Sequence, residues 1–184
     1  MKSWKRLATT TLVHDRWLHL TADRCEPPSG HVVEPFYVMH QPDFVHIFAE
    51  NAAGEILVVR QYRYAVADVC VELPGGIIDS GEEPLVAARR ELLEETGHVA
   101  DDWTYVGWMY ASPLRQTSRI HLFRARELAV QQAQSLDESE DIEFHFMSPT
   151  EIERAMHSGQ FTHVHHVASY YRARAHRESP STAG

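Results

Sequence analysis

The stretch from Gly76 to His98 constrains this chain more than any other. It reads GIIDSGEEPLVAARRELLEETGH. A tight turn at Pro74, Gly75 and Gly76 leads into it, and an acid, Glu82, follows six positions after Gly76. The segment that carries Arg90, Glu91, Leu92, Leu93, Glu94 and Glu95 then reads as a helix that stops at Gly97, a residue suited to the left-handed position that closes helices. At about 100° per residue, Glu94 and Glu95 flank Glu91 on one face, with Glu82 just ahead of the helix. Leu85, Val86, Leu92 and Leu93 fall on the opposite side and are expected to meet a core. Like charges three and four apart destabilise a bare helix. The carboxylates are therefore either a solvated acidic face or the ligands of a hard divalent cation, which prefers oxygen.

The order of these residues satisfies G-x5-E-x7-R-E-U-x-E-E-x-G-U, with U a bulky apolar residue, at every fixed position except the last, where His98 stands. It resembles the Nudix box, the long and specific signature of the Nudix hydrolases. The resemblance implies Mg²⁺, with Mn²⁺ as a substitute, held by Glu91, Glu94, Glu95, Glu82 and the main-chain oxygen of Gly75. It gives Arg90 the task of holding the box loop against the helix.

A chain of 184 residues is expected to form one domain, or one domain with a small appendage. A net charge of −9 with no basic stripe argues against nucleic acid as a partner. Cys25 and Cys70 have no metal or redox spacing and read as reduced thiols. No signal-peptide pattern or membrane-length apolar run stands out, so a cytoplasmic protein with no membrane partner is expected.

Residues 8–13, 17–22 and 31–39 read as strands, rich in Thr, Val, Leu and aromatics. They form an expected antiparallel β appendage over 1–42, with Trp4, Trp17, Phe36 and Tyr37 as its core or, for one of them, a surface that stacks on a base. The main domain is expected over 43–176. Strands at 44–49, 55–61 and 69–73 deliver the chain to the Gly turn, and strands at 103–110 and 120–126 follow the box. Residues 131–141, QQAQSLDESED, read as a mobile polar loop. A strand at 142–147 precedes a helix that starts at Ser148 and Pro149. A further helix at 162–176 carries His163, His165 and His166, read as polar surface rather than a metal site because no third ligand converges. The tail 177–184 is expected to be disordered.

Arg60, Gln61, Tyr62 and Arg63, followed by Glu72-Leu73-Pro74-Gly75-Gly76, are similar to the Q-[FY]-R…E-L-P-[AG]-G run of the ADP-ribose pyrophosphatase branch of the family. That likeness marks Arg63, Glu72 and, less directly, Arg60 as substrate-binding. Pro113 stands 16 residues past Gly97, where the branch carries a proline. The branch's S-P-G-x-S-x-E run is broken here, with Leu114 in place of Gly and Ser118 in place of Glu. Glu138 and Glu140 match the family's E-x-E-D-I loop pattern, which implies that one of them is the general base.

The family implies an α/β (α+β) fold, an α/β/α sandwich with a mixed central sheet. It also implies a homodimer formed through the N-terminal strands. The expected activity is metal-dependent hydrolysis of a nucleoside diphosphate sugar, ADP-ribose or a related one. The alternatives are a non-catalytic nucleotide-sugar sensor and a hydrolase of dinucleoside polyphosphates.

Overall fold

The computed structural model describes residues 2–137 and 140–176. Two compact units emerge: Met1–Asp43 with Met109–Arg119, and Phe44–Trp108 with Ile120–Gly184.

In the first unit, β1 (Lys5–His14), β2 (His19–Glu26) and β3 (Val33–His40) form an antiparallel sheet in that order. The β1–β2 turn is set by Asp15, whose carboxylate accepts hydrogen bonds from the backbone N–H of Trp17 and Leu18 at 2.7 and 2.8 Å, the usual local role of aspartate in a turn. The aromatic core expected for this piece does not form. Trp4, Trp17 and Tyr37 are exposed, and Phe36 is half-buried. The buried side chains are Thr21, Asp23 and Cys25, on alternate positions of β2, because the central strand of three is the one shielded on both edges. The 109–119 loop joins this unit by backbone bonds from Met39 N to Arg115 O and from Thr117 N to Met39 O.

The second unit holds β4 (Phe44–Ala49), β5 (Ile56–Arg63), β6 (Asp68–Glu72), α1 (Pro84–Thr96), β7 (His98–Tyr110), β8 (Arg119–Val130), β9 (Ile142–Met147), α2 (Pro149–Ser158) and α3 (Val164–Ala175). These strands make two three-stranded sheets, β4-β8-β7 and β6-β5-β9. β4 runs parallel to β8, whereas β5 is antiparallel to both β6 and β9, so the unit is mixed in strand direction.

Strand alternation explains the layering. Val45, Ile47 and Ala49 of β4 face α1 in a cluster with Leu57, Ala87, Ala88 and Leu92. Phe48 faces the other way, with Ile56, Val58, Ile152, Phe161, Tyr170 and Ala173 around α2 and α3. Helices thus cover both faces of β4, which is the α/β/α arrangement. Full burial of a side chain such as Leu92 or Ile47 contributes about 1.5–3 kcal/mol each, and it fixes which face of α1 turns inward. That face is the expected one in part: Leu92 is buried and Leu85 packs against the cluster, but Val86 is exposed, and Ala87, Ala88, Glu95 and Thr96 are buried in its stead. The small Ala side chains let α1 approach β4 closely, and the inward arc they define sweeps the Glu91–Glu95 side toward the sheet.

Ser148 caps α2 through a reciprocal capping box with Glu151, the arrangement that satisfies two orphan N–H groups at once. The 131–141 loop is tied to the end of α1 where it is described: Gln131 N donates to Gly97 O, Ser135 N to Glu94 O, and Gln134 Nε2 to Glu95 O. The expectation for 177–184 lies outside the described residues. Among the described residues, no helix is long and apolar enough to cross a membrane.

Candidate active site

The glycine turn is stitched to β4. Ile47 N donates to Pro74 O and Val45 N to Gly76 O, both at 2.9 Å. A Cβ on Gly75 would lie 2.0 Å from Val45 O, and one on Gly76 would lie 2.4 Å from a Glu91 carboxylate oxygen. Gly75 excludes a side chain because the β4 backbone approaches so closely, whereas a side chain at Gly76 would displace the Glu91 carboxylate. Gly75 N–H donates to Glu95 Oε2 at 2.9 Å, which joins the turn to the last turn of α1.

Arg90 braces the other side. Its guanidinium donates to Glu82 (Nε–Oε1 and Nη2–Oε2, both 3.0 Å), to Glu91 Oε1 at 2.8 Å, to Glu94 Oε2 at 3.1 Å and to Ile77 O at 3.0 Å. The loop from Ile77 to Glu82 is thereby held against the helix. One cation serves three carboxylates here, whereas the Glu95 carboxylate is bonded, among the described residues, by the Gly75 N–H. Burial pushes the Glu91 carboxyl up to about 7 against the pull of Arg90, and the charges of Glu94 and Glu140 add to the rise. Burial holds Glu95 well above the usual carboxylate range, opposed by the Gly75 N–H and reinforced by Glu91 and Glu140. Hydrogen bonds from Arg90 keep Glu82 low. An all-oxygen cluster with excess negative charge, partly desolvated, is the environment a hard divalent cation relieves.

Glu140 belongs to the same neighbourhood, since its charge acts on both Glu91 and Glu95. Its carboxylate accepts from Asp137 N at 3.1 Å, and its N–H donates back to Asp137 O at 2.9 Å. Glu138 lies outside the described residues. His98, in the position where the motif has an apolar residue, is buried edge-on to Phe144 and Phe146 and donates from Nδ1 to Thr96 O at 2.8 Å. The ring fills an apolar slot while its Nδ1 hydrogen is satisfied by Thr96 O.

A second constellation lies at the end of β6. Glu72 is almost wholly buried and accepts from Arg63 Nε at 3.3 Å, from Arg63 Nη2, and from His163 Nδ1 at 3.0 Å. His166 Nε2 stands 3.6 Å away. Burial alone would raise the Glu72 carboxyl, yet the hydrogen bonds from His163 and Arg63 outweigh it and hold it at about 2. Arg63 also feels the charge of Glu95, which ties this group electrostatically to the helix cluster. The helical histidines are therefore not surface residues as expected. His166 is buried and His163 half-buried as the residue that precedes α3, and their partner Glu72 is 91 residues from His163 in sequence.

Arg60, a further expected site residue, has other partners. Arg60 and Arg63 are three apart on β5, so their side chains leave opposite faces of the strand. Arg60 pairs with Glu143 at 3.2 Å and lines a separate open depression with Val69, Val71 and Gln160. Pro113 sits in the 109–119 segment of the first unit. Beside it, Leu114 is exposed, whereas Ser118 is fully buried.

Comparison with known proteins agrees with this geometry. Residues 39–167 match the NUDIX domain, and residues 4–39 match the nucleoside diphosphate sugar hydrolase N-terminal domain. The chain is 34% identical over 140 residues to an ADP-ribose pyrophosphatase of Bacillus subtilis, covering 76% of this chain and 75% of that protein. It is 33% identical over 140 residues, with the same coverage, to a methanol dehydrogenase activator of Bacillus methanolicus. Its fold matches a crystal structure of an ADP compounds hydrolase with a TM-score of 0.83 at 21% identity, over 95% of this chain and 94% of that one. The chain belongs to the NUDIX family and is a Nudix pyrophosphohydrolase.

Proposed function

We propose that this enzyme hydrolyses the diphosphate bond of a nucleoside diphosphate sugar, ADP-ribose or a close relative, by attack of water at phosphorus. The products are a nucleoside monophosphate and a sugar phosphate. The observation that carries the reading is the set of Glu82, Glu91 and Glu94 gathered around Arg90, with Glu95 bonded to the Gly75 N–H of the adjoining turn. An oxygen-only, charge-rich donor set fits Mg²⁺, with Mn²⁺ as a substitute. Glu91, Glu94, Glu95 and the Gly75 carbonyl would hold it, with Glu82 at the rim. When bound, the metal neutralises phosphate charge and lowers the pKa of a water.

The chain's own residues do the rest. Arg90 keeps the box loop closed on the helix. Arg63, locked to Glu72 by two nitrogens, offers its remaining guanidinium edge to diphosphate oxygens, a geometry suited to arginine. Glu138 or Glu140 accepts the proton of the attacking water. Likeness to an ADP-ribose pyrophosphatase and the match of residues 4–39 to the N-terminal domain of nucleoside diphosphate sugar hydrolases support this substrate class. In the same reading residues 1–42 are a dimerising appendage of the 43–176 domain. β1, exposed along nearly its whole length, supports a homodimer formed through these strands. The two free cysteines fit a reducing cytoplasm.

The test is a panel of ADP-ribose, ADP-glucose, GDP-mannose, UDP-glucose and a diadenosine polyphosphate, assayed with Mg²⁺ and with products identified by mass. Cleavage of a nucleoside diphosphate sugar to the two monophosphates supports the reading. Cleavage of the diadenosine compound alone, or tight binding without turnover, refutes it.

A further inference from the structure

The α2–α3 connection and the start of α3 grip the chain that feeds the glycine turn. Three successive residues at the end of β6 and just past it are engaged: Val71 N donates to Gln160 O at 3.1 Å, the Glu72 carboxylate accepts from His163, and Leu73 N donates to His166 Nδ1 at 3.1 Å. Behind this contact, His166 stacks on His46 of β4 with centroids 3.9 Å apart, and His46 shares a 2.9 Å hydrogen bond with Ser169. The stack and the backbone bond leave His166 little freedom to turn.

Glu72, His163 and His166 bring potential ligand atoms within 4.8 Å of one another, the spread of a transition-metal site. The hydrogen bonds argue for another use. Burial holds His166 neutral, so its ring has one proton. Nδ1 accepts from Leu73 N–H, which places that proton on Nε2, the atom facing Glu72. A nitrogen that carries a proton has no lone pair for a metal. Glu72 in turn already receives Arg63 on both oxygens. The group is a carboxylate surrounded by donors.

We propose that His163, backed by His166, is a positioning residue for the diphosphate-binding Arg63. The His163 imidazole completes the donor shell of Glu72, with His166 Nε2 behind it at 3.6 Å, so the carboxylate keeps one orientation and presents the guanidinium with Nε and Nη2 engaged and Nη1 unpartnered among the described residues. Without His163, Glu72 loses a hydrogen bond on the oxygen that Arg63 Nε shares, and the guanidinium is free to rotate. This rests on the reading of Arg63 as a substrate contact.

The experiment is steady-state kinetics on ADP-ribose with Mg²⁺ for the full-length Arg63→Ala, His163→Ala and His163→Asn variants and the Arg63→Ala/His163→Ala double variant. His163→Ala is expected to raise KM by about tenfold, the scale of one charge-assisted hydrogen bond, with kcat changed by less than about threefold. His163→Asn, which keeps a donor near the place of Nδ1, should return KM to within about threefold of the parent. The double variant should be no worse than Arg63→Ala alone, since residues acting through one another are non-additive. Additive losses, an unchanged KM in His163→Ala, or a stoichiometric zinc ion lost on mutating His163 would overturn the proposal. An unchanged KM in Arg63→Ala would instead refute the substrate role of Arg63. Should His163→Ala fail to fold, His163→Asn and His163→Gln separate the donor from the packing: equal KM in both, with no gain on restoring the donor, overturns it as well.

Discussion

Glu72→Gln removes the charge at the centre of the Arg63–His163–His166 group while keeping its shape. The carboxyl sits at about 2 rather than its usual 4.5, a difference worth about 3 kcal/mol of folding stability by linkage. Because the folded value lies below the unfolded one, this stability is fully present above about 4.5 and disappears as pH falls through about 2. By pH 3, about three-fifths of it is gone. A protonated Glu72 is nearly isosteric with Gln, so parent and variant should converge as the pH drops. Denaturant unfolding of both proteins from pH 7 to pH 2.5 reads the gap directly. The expected gap is about 3 kcal/mol at pH 7 and shrinks to about 1 kcal/mol or less near pH 2.5. A gap that stays constant with pH would mean that Glu72 acts through packing alone, and the charge-centred account of the group would fail.

Three further outcomes follow from the box and the 131–141 loop. Gly76→Ala places a Cβ 2.4 Å from the Glu91 carboxylate; kcat should fall by about 10²-fold, since misplacement of a catalytic group by about 1 Å has that effect, and an unchanged kcat would show that Glu91 need not hold its position. Glu91→Gln removes a proposed metal ligand and a half-buried carboxyl already pushed up to about 7. Mg²⁺-dependent release should fall by at least about 10³-fold, and EDTA-treated variant should melt no lower than the EDTA-treated parent; retained turnover contradicts the metal assignment. Of Glu138→Gln and Glu140→Gln, one should lose about 10²–10⁴-fold in kcat with little change in KM, and equal activity in both would remove the base from this loop.

Legibility from sequence followed the distance between partners. Arg90, Glu82, Glu91, Glu94 and Glu95 lie within 14 residues of one helix and its approach, so their mutual contacts are consequences of helical spacing. The identity of the buried face was harder. Large apolar residues drew attention to Val86, yet the contact with β4 is made through Ala87 and Ala88, whose small size is the reason the helix can come close. The N-terminal aromatics misled in the opposite direction, because a three-stranded sheet shields only its central strand, and Trp4, Trp17 and Tyr37 lie off it. Least legible was the Glu72 group. On the helix wheel His163 and His166 share a side with no third ligand, and only the fold brings the end of β6 to them. The signal available was indirect: a glutamate two residues before Pro74 and an arginine nine residues before it on the paired strand.

The central claim is that Glu91 and its neighbours serve a divalent-cation-dependent attack of water on a diphosphate. Incubation of ADP-ribose with the enzyme in ¹⁸O-water, with Mg²⁺ or with EDTA, tests it most directly. The account predicts one ¹⁸O atom in the phosphate of either AMP or ribose phosphate, in the Mg²⁺ sample alone. Binding of ADP-ribose without cleavage in the presence of Mg²⁺, or equal label with EDTA, would contradict it.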